Sequence, residues 1–469
     1  MGRSVAVIGG GVSGLAAAWE LCLAEVGTSV VLLEATDRLG GKLRLEDVGG
    51  VRIDVGAESV LARRPEAVGL LDELGLTGEV THPGPAGAAI VSRGVRWPMP
   101  RGTVMGVPSD PESVRGLLTD AEVDRLAHEQ TTGPVPGDLS VGDLVDARLG
   151  PAVTDRLVEP LLAGVYAGHA RRISVDQAVP VLAAAAHEGR PLLDVARAAA
   201  AAAADGPLAG TPVFASLVGG LGRLPEVLGQ QLAEAGVRVR TGTVVRGLRR
   251  DGAGWVVSSG PTNQVLEERF DAVVLATPAA PTARLLREVA PEAAAALAGV
   301  DYASMAIVTL ALDGPPPEAL EGSSGFLVPP AEPLTIKAST FSTVKWPWLA
   351  RAHPGRTYLR ASVGRHGEEV TLQRSDDELV AAALTDLGSV LGGDLPAPAA
   401  THVQRWGGGL PQYAVGHRSR LAPTRHLPPG LARCGAAYDG VGIPACVASG
   451  RAAARVVLTH WDERSDALG

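Results

Sequence analysis

Ser4-Val-Ala-Val-Ile-Gly-Gly-Gly-Val-Ser-Gly14 is the stretch that decides the fold, with Leu15, Ala18, Trp19 and Cys22 following it at helical spacing. An apolar run, a glycine turn and an apolar stripe of period near 3.6 predict strand, tight turn and helix. Gly9, Gly11 and Gly14 stand in the G-x-G-x-x-G spacing. Backbone amides and the helix N-terminus can then hold a pyrophosphate at close approach. Ser29-Val-Val-Leu-Leu33 reads as a second strand, buried on both faces. Glu34 follows it directly, where a carboxylate can accept both ribose hydroxyls. Strand, turn, helix, strand and acid together predict a dinucleotide site, and NAD and FAD share this fingerprint.

The chain has 469 residues, more than one hydrophobic core usually organises, so two or three domains are expected. Its 46% hydrophobic and 20% charged residues support burial over disorder, and 59 Gly and 35 Pro predict many turns. The formal net charge of -9 repels phosphate and argues against a general nucleic-acid binder. The longest stretch without Asp, Glu, Lys or Arg, Gly206 to Gly222, is broken by Pro207, Pro212 and glycines, so no transmembrane segment is expected. The N-terminus lacks the order of a secretory signal, and a cytoplasmic location is expected. Cys22, Cys434 and Cys446 are odd in number without a C-x-x-C pair, which indicates neither a disulfide framework nor a metal site.

The pattern predicts an α/β chain, α+β overall, in three units. A Rossmann-like dinucleotide-binding domain is expected from 1–83, 208–281 and 400–469. A mainly helical insertion is expected at 84–207, where turn residues dominate to Gln130 and Leu- and Ala-rich helical patterns fill Val141 to Val165 and Val175 to Ala204. A mixed-sheet substrate domain is expected at 282–399, with strand-like runs at Met305 to Leu312 and Tyr358 to Val363. The chain closes in a helix carrying Val447, Arg451, Ala454 and Leu458 along one side.

Glu34-Ala-Thr-Asp-Arg-Leu-Gly-Gly-Lys42 places a second glycine pair and a cation after the ribose acid. It resembles the flavin oxidoreductases related to monoamine oxidase, in which these residues close over the FAD pyrophosphate. Seven further motifs narrow the resemblance: Asp54-Val-Gly-Ala-Glu-Ser59, Val158-Glu-Pro-Leu-Leu-Ala-Gly-Val-Tyr-Ala-Gly168, Ser216-Leu-Val-Gly-Gly-Leu221, Gly325-Phe-Leu-Val-Pro329, Lys345-Trp-Pro347, Leu410-Pro-Gln-Tyr413 with Gly416-His417, and Gly440-Val-Gly-Ile-Pro444. They are similar, in order and over nearly the whole chain, to motifs of the oxygen-dependent porphyrinogen oxidases. Within that family the arrangement resembles the coproporphyrin-forming branch of Gram-positive bacteria more than the membrane-associated mitochondrial branch.

The resemblance implies FAD as cofactor, coproporphyrinogen III as substrate, molecular oxygen as acceptor and hydrogen peroxide as product, in haem synthesis. Protoporphyrinogen IX is the alternative substrate. A flavin amine oxidase, a carotenoid desaturase and a flavin-binding partner without turnover are more distant readings. A transient contact with the next haem-pathway enzyme is a further expectation. The implied FAD residues are Gly9, Gly10, Gly11, Val12, Ser13, Gly14, Glu34, Ala35, Lys42, Gly56, Ala57, Glu58, Ser59 and, through its backbone, Val244. Trp406, Val441, Gly442 and Ile443 are implied beside the isoalloxazine. A porphyrinogen needs a wide apolar cavity rimmed with cations that pair with its carboxylates. Arg64 and Lys345 are the expected rim cations, with a solvated surface pair and a structural lysine as the alternatives. Tyr413 and His417 are expected polar groups near the cavity, with an internally satisfied histidine as the alternative. Ala57, His169, Ser339, Phe341 and Ala445 depart from residues frequent in the family. No acid–base pair stands out in the sequence, and solvent can take the pyrrole proton.

Overall fold

A computed structural model of the chain describes residues 3–24, 27–131, 133–205 and 210–466, with side chains to residue 461. Its first layer is a five-stranded, all-parallel sheet in the order Arg238–Arg240, Ser29–Leu33, Ser4–Ile8, Ala272–Leu275, Leu431–Arg433. Both faces are covered, which is why the three central strands read as nearly unbroken apolar runs, whereas the edge strand Arg238–Arg240 does not. On one face lie the helices Val12–Ala24, Arg223–Glu234 and Ile443–Asp466, which bury Leu15, Leu21, Leu224, Leu228, Val447 and Val457 against Val5, Val7 and Leu32. The other face is covered by the antiparallel strands Val245–Asp251, Gly254–Ser259 and Leu266–Phe270 and the helices Ala279–Leu286 and Pro291–Ala298.

The second layer is a seven-stranded mixed sheet in the order Ala400–Pro411, Tyr302–Asp313, Arg356–Val363, Ile336–Phe341, Ser323–Leu327, Gly87–Ser92, Val95–Pro98. Its pairs are antiparallel except that between Ser323–Leu327 and Gly87–Ser92. Strand alternation divides its faces. Leu359, Ala361, Val363, Val308 and Leu310 pack with Leu379, Ala383 and Leu387 of the helix Asp376–Leu391. Residues of the opposite parity turn toward the first layer: Tyr358 donates to the Val48 carbonyl and Arg360 reaches Glu58.

Two expectations are corrected here. Gly87–Ser92 and Val95–Pro98, read as crossover and helical insertion, are strands of the seven-stranded sheet. Ala400–Pro411, read with the dinucleotide-binding unit, is the edge strand of that same sheet. In each case the strand is tied into the sheet by a partner remote in sequence, Ser323–Leu327 for Gly87–Ser92 and Tyr302–Asp313 for Ala400–Pro411, so local pattern leaves its sheet open. The helical insertion forms its own core around Leu144, Leu157, Leu162, Leu182 and Leu192. Its patterns are interrupted by Gly150-Pro151, by a π-helical turn over Thr154–Val158, by Val179-Pro180 and by Gly189. The boundary expected between 207 and 208 lies outside the described residues.

The closing helix crosses the first helix so closely that a Cβ on Gly450 would lie 2.1 Å from the Ser13 carbonyl oxygen. Gly450→Ala must push the two backbones apart and is expected to lower the thermal unfolding midpoint by the equivalent of about 1–3 kcal/mol. An unchanged midpoint would refute this contact as a packing constraint.

Candidate functional site

The glycine loop sits at the carboxyl end of Ser4–Ile8 and opens the helix Val12–Ala24. Two of its glycines are required by the fold itself: a Cβ on Gly9 would meet the Ala276 carbonyl oxygen at 2.6 Å, and one on Gly14 would meet that of Gly9 at 1.9 Å. Gly11 differs. A Cβ there would meet no protein atom within 4 Å, and its φ lies outside the left-handed region. Neither chain packing nor backbone strain demands a glycine at this position, so the loop has room there for a group lying against its backbone. Glu34 is aimed at the same place: its carboxylate accepts from the Gly10 amide at 2.7 Å and from the amide and hydroxyl of Thr36 at 2.8 and 2.7 Å. Val244 lies alongside, because the amides of Gly242 and Thr243 donate to the Thr36 and Glu34 carbonyls.

The second glycine pair folds onto this loop. The Gly40 amide donates to the Gly10 carbonyl, and Gly40 bridges to Gly11. Sequence reading passed over Arg38, whose guanidinium donates to the carbonyls of Leu39 and Leu43 at 3.2 Å and of Gly41 at 2.6 Å, holding the turn shut. Lys42 is half-buried, and among the described residues its ammonium has no hydrogen bond or ion pair. Burial lowers its pKa, with Cys446 acting weakly in the other direction. An uncompensated cation at this position is suited to a pyrophosphate.

Gly56 presses on the Lys42 carbonyl, 2.0 Å from where its Cβ would be, and Ala57 donates its amide to that carbonyl. Trp406 closes the far side, with its indole N–H on the Val55 carbonyl at 3.0 Å and its ring 3.1 Å from the Cβ position of Gly56. The turn Gly440-Val441-Gly442 leads into the closing helix at Ile443. Gly442, like Gly11, has open space where a Cβ would stand, with only a Pro444 ring atom within 4 Å. Beneath it, the Cys446 thiol lies 3.7 Å from the Gly440 carbonyl oxygen.

Glu58 joins the two sheets. Its carboxylate takes the Lys345 ammonium at 2.6 Å and the Arg360 guanidinium at 2.5 Å, and Arg360 also donates to the Gly56 carbonyl at 2.6 Å. Lys345, expected on the substrate rim, is therefore an internal partner of Glu58. Arg360 was missed; the available signal was an arginine inside the apolar strand run Tyr358 to Val363. Arg64, the other expected rim cation, has a side chain that is 51% exposed and paired with Glu66 at 2.7 Å. Tyr413 and His417 are both buried, and they donate to the adjacent carbonyls of Ala436 and Ala437. Burial raises the Tyr413 pKa and lowers that of His417, so both stay neutral at pH 7. His169 forms hydrogen bonds with the Glu159 carboxylate and the His366 carbonyl, both at 3.0 Å, and the Glu159 bond chiefly raises its pKa.

Open space at Gly11 and Gly442, a carboxylate directly after the second strand and a lysine unpaired among the described residues fit FAD, and with the parallel sheet they fit a flavin-dependent oxidoreductase. Residues 12–458 match the family described as flavin containing amine oxidoreductase. The chain belongs to that family and, within it, to the porphyrinogen oxidases that its motifs resemble. It is 40% identical over 463 residues to the coproporphyrinogen III oxidase of Mycobacterium tuberculosis, covering 97% of each chain. It is 30% identical to the Bacillus subtilis enzyme of that name, with 98% of each covered, and 32% identical to human protoporphyrinogen oxidase, with 98% and 99% covered. Among solved structures, an inferred protoporphyrinogen oxidase from Exiguobacterium sp. 255-15 superposes with a TM-score of 0.84 at 31% identity, over 98% of this chain and 99% of that one. Among the described residues, no helix is long and apolar enough to cross a membrane.

The Glu58 cluster yields a pH-dependent expectation. Burial alone would raise the Glu58 pKa, but Lys345 and Arg360 outweigh it and hold the carboxyl down at about 2. A depressed carboxyl stabilises the fold fully above the ordinary glutamate range and loses that contribution as pH falls through about 2. Glu58→Gln strands two buried cations and is expected to cost about 3–5 kcal/mol at neutral pH. Denaturant unfolding at neutral pH, repeated in acid, should show the gap between variant and parent narrowing with acidification; a gap independent of pH would contradict the assignment.

Proposed function

We propose that this protein oxidises coproporphyrinogen III to coproporphyrin III within cytoplasmic haem synthesis, passing the electrons to molecular oxygen with hydrogen peroxide as product. The observation that carries the reading is the glycine loop with open space at Gly11 and the half-buried Lys42 beside it, unpaired among the described residues, in a chain 40% identical to a coproporphyrinogen III oxidase. The parallel-sheet unit holds the cofactor, and the seven-stranded sheet and helical insertion enclose the substrate. Protoporphyrinogen IX is the second reading, favoured by the human and Exiguobacterium similarities.

FAD, when bound, supplies the acceptor that takes a hydride from the substrate's meso carbon. Amides of Gly11 to Gly14 at the helix N-terminus hold the pyrophosphate, and Lys42 neutralises it. Glu34 binds the ribose hydroxyls, and Ala35 and Val244 line the adenine end. Gly56, Ala57 and Ser59 form the inner wall, fixed by Glu58 through Arg360. Trp406 and the Val441-Gly442-Ile443 turn bound the isoalloxazine, where backbone amides at a helix start favour developing negative charge. The chain's contribution to the chemistry is positioning, and water takes the pyrrole proton. A brief contact with the enzyme that consumes the product would keep a poorly soluble, photoreactive porphyrin out of solution.

Two experiments test this. Gly11→Ala should leave the thermal midpoint of the flavin-free protein unchanged while lowering its FAD content by about tenfold or more, since a methyl group there meets only ligand. Equal FAD content in variant and parent would remove the pyrophosphate from this loop. The flavoprotein should also bleach when mixed anaerobically with coproporphyrinogen III, and yield fluorescent porphyrin and peroxide when air is admitted. Faster bleaching by protoporphyrinogen IX would select the second reading, and bleaching by neither would refute both.

A further inference from the structure

The segment 166–169 joins the helical insertion to the seven-stranded sheet and is pinned from two sides. Gln412, just past the edge strand Ala400–Pro411, donates to the Tyr166 carbonyl at 2.8 Å, and a Cβ on Gly168 would lie 2.2 Å from its Oε1. His366, in the loop after Arg356–Val363, donates its amide to the Ala167 carbonyl at 2.7 Å. Ala167 is fully buried at φ +49°, a left-handed conformation that a residue with a Cβ adopts only where its surroundings enforce it. The helix Glu159–Tyr166, which ends in this turn, lies over the sheet: the Cβ position of Gly164 is 3.6 Å from a Leu327 methyl group.

His169 completes the junction. One ring nitrogen meets the Glu159 carboxylate and the other the His366 carbonyl, both at 3.0 Å. The second oxygen of Glu159 is already engaged, accepting the Ala170 amide at 2.6 Å. A carboxylate and a carbonyl only accept, and a neutral imidazole has one N–H to give. Both ring contacts are hydrogen bonds only while His169 and Glu159 together hold one further proton; without it, one contact sets lone pair against lone pair. The His169 side chain is 29% exposed, so water can deliver and remove that proton.

We propose that Glu159, His169 and His366 form a proton-dependent clasp that holds the helical insertion closed on the seven-stranded sheet. Acid fastens it and alkali loosens it. The Glu159 bond chiefly raises the His169 pKa, burial opposes the rise, and the His366 carbonyl and Glu368 add to it. A group raised in this way stabilises the closed form fully below about pH 6.5, and the contribution is lost as pH rises through the higher folded value. The other charged groups of the junction are turned elsewhere or act in the opposite direction. Arg171 pairs with Asp146 and Asp155, Arg365 donates to the Val328 carbonyl and lies 3.5 Å from Glu368, and the His366 ring interacts with Glu369. Lys337 donates to the Gly364 carbonyl at 2.8 Å, and burial, aided by Arg365, pushes its pKa down to about 7. A depressed lysine favours the folded loop as pH rises, so Lys337 and His169 predict changes of opposite sign.

Amide hydrogen exchange of the FAD-loaded protein from about pH 6 to about pH 9, scaled to the intrinsic rate at each pH, tests the clasp. The amide at position 366, bonded to Ala167, is expected to lose about tenfold or more of its protection across this range, while the amides of Ser4–Ile8 keep theirs. His169→Gln should abolish the change with pH, and His366→Ala, which keeps the carbonyl, should retain it. Protection at position 366 that is constant or increases with pH, a response that survives His169→Gln, or one that disappears in His366→Ala would each overturn the proposal. The exchange is read without porphyrinogen, so none of these outcomes depends on the proposed reaction.

Discussion

The closest constraint in the molecule is backbone packed directly on backbone around the first helix. Gly14 lies where a Cβ would be 1.9 Å from the Gly9 carbonyl oxygen, and Gly450 where one would be 2.1 Å from that of Ser13. The helix is thereby held between the parallel sheet and the closing helix, with Leu15, Ala16, Ala17 and Ala18 fully buried. Only small residues permit such approach, and close-packed interiors transmit any displacement. The position of the helix N-terminus, and so of the cofactor loop, follows from this contact. The closing helix also brings the Gly440–Gly442 turn to the same cleft, although it lies at the opposite end of the chain.

A second link is electrostatic. Glu58 holds Lys345 and Arg360, from two different stretches of the chain, and Arg360 in turn holds the Gly56 carbonyl. Asp54, also buried, lies close enough to interact with both Arg360 and Glu58, so the charges of the cluster sit together largely out of water. Such a cluster contributes geometry more than stability, because desolvating the charges offsets much of their attraction. Its effect is to fix the seven-stranded sheet against the inner wall of the cofactor cleft. Trp406 adds a neutral tie of the same kind through the Val55 carbonyl.

Much of the cofactor unit was legible in the sequence. Its strands are short apolar runs, its turn is a glycine pattern, and the acid after the second strand lies at a fixed offset; each depends on neighbours within a few positions. The helix Ile443–Asp466 and the strands Tyr302–Asp313 and Arg356–Val363 followed their periodicity for the same reason. Gly87–Ser92 and Ala400–Pro411 were placed in the wrong unit, since a strand's sheet is decided by a partner remote in sequence. The four polar residues expected on the substrate have partners within the chain that the sequence did not announce. Lys345 and Arg64 found carboxylates, and Tyr413 and His417 found carbonyls, none of which motif spacing could assign.

The sequence by itself determined the strand–glycine loop–helix unit, the flavin cofactor class and the family of the chain, because these reside in local pattern and ordered motifs. Tertiary structure alone decided which glycines serve packing and which leave room for a ligand. Gly9 and Gly11 read identically in the sequence, and only the presence of Ala276 beside one and open space beside the other separates them. It also decided which cations are free. An ion pair depends on distance through space and on the removal of water, and neither quantity is written along the chain.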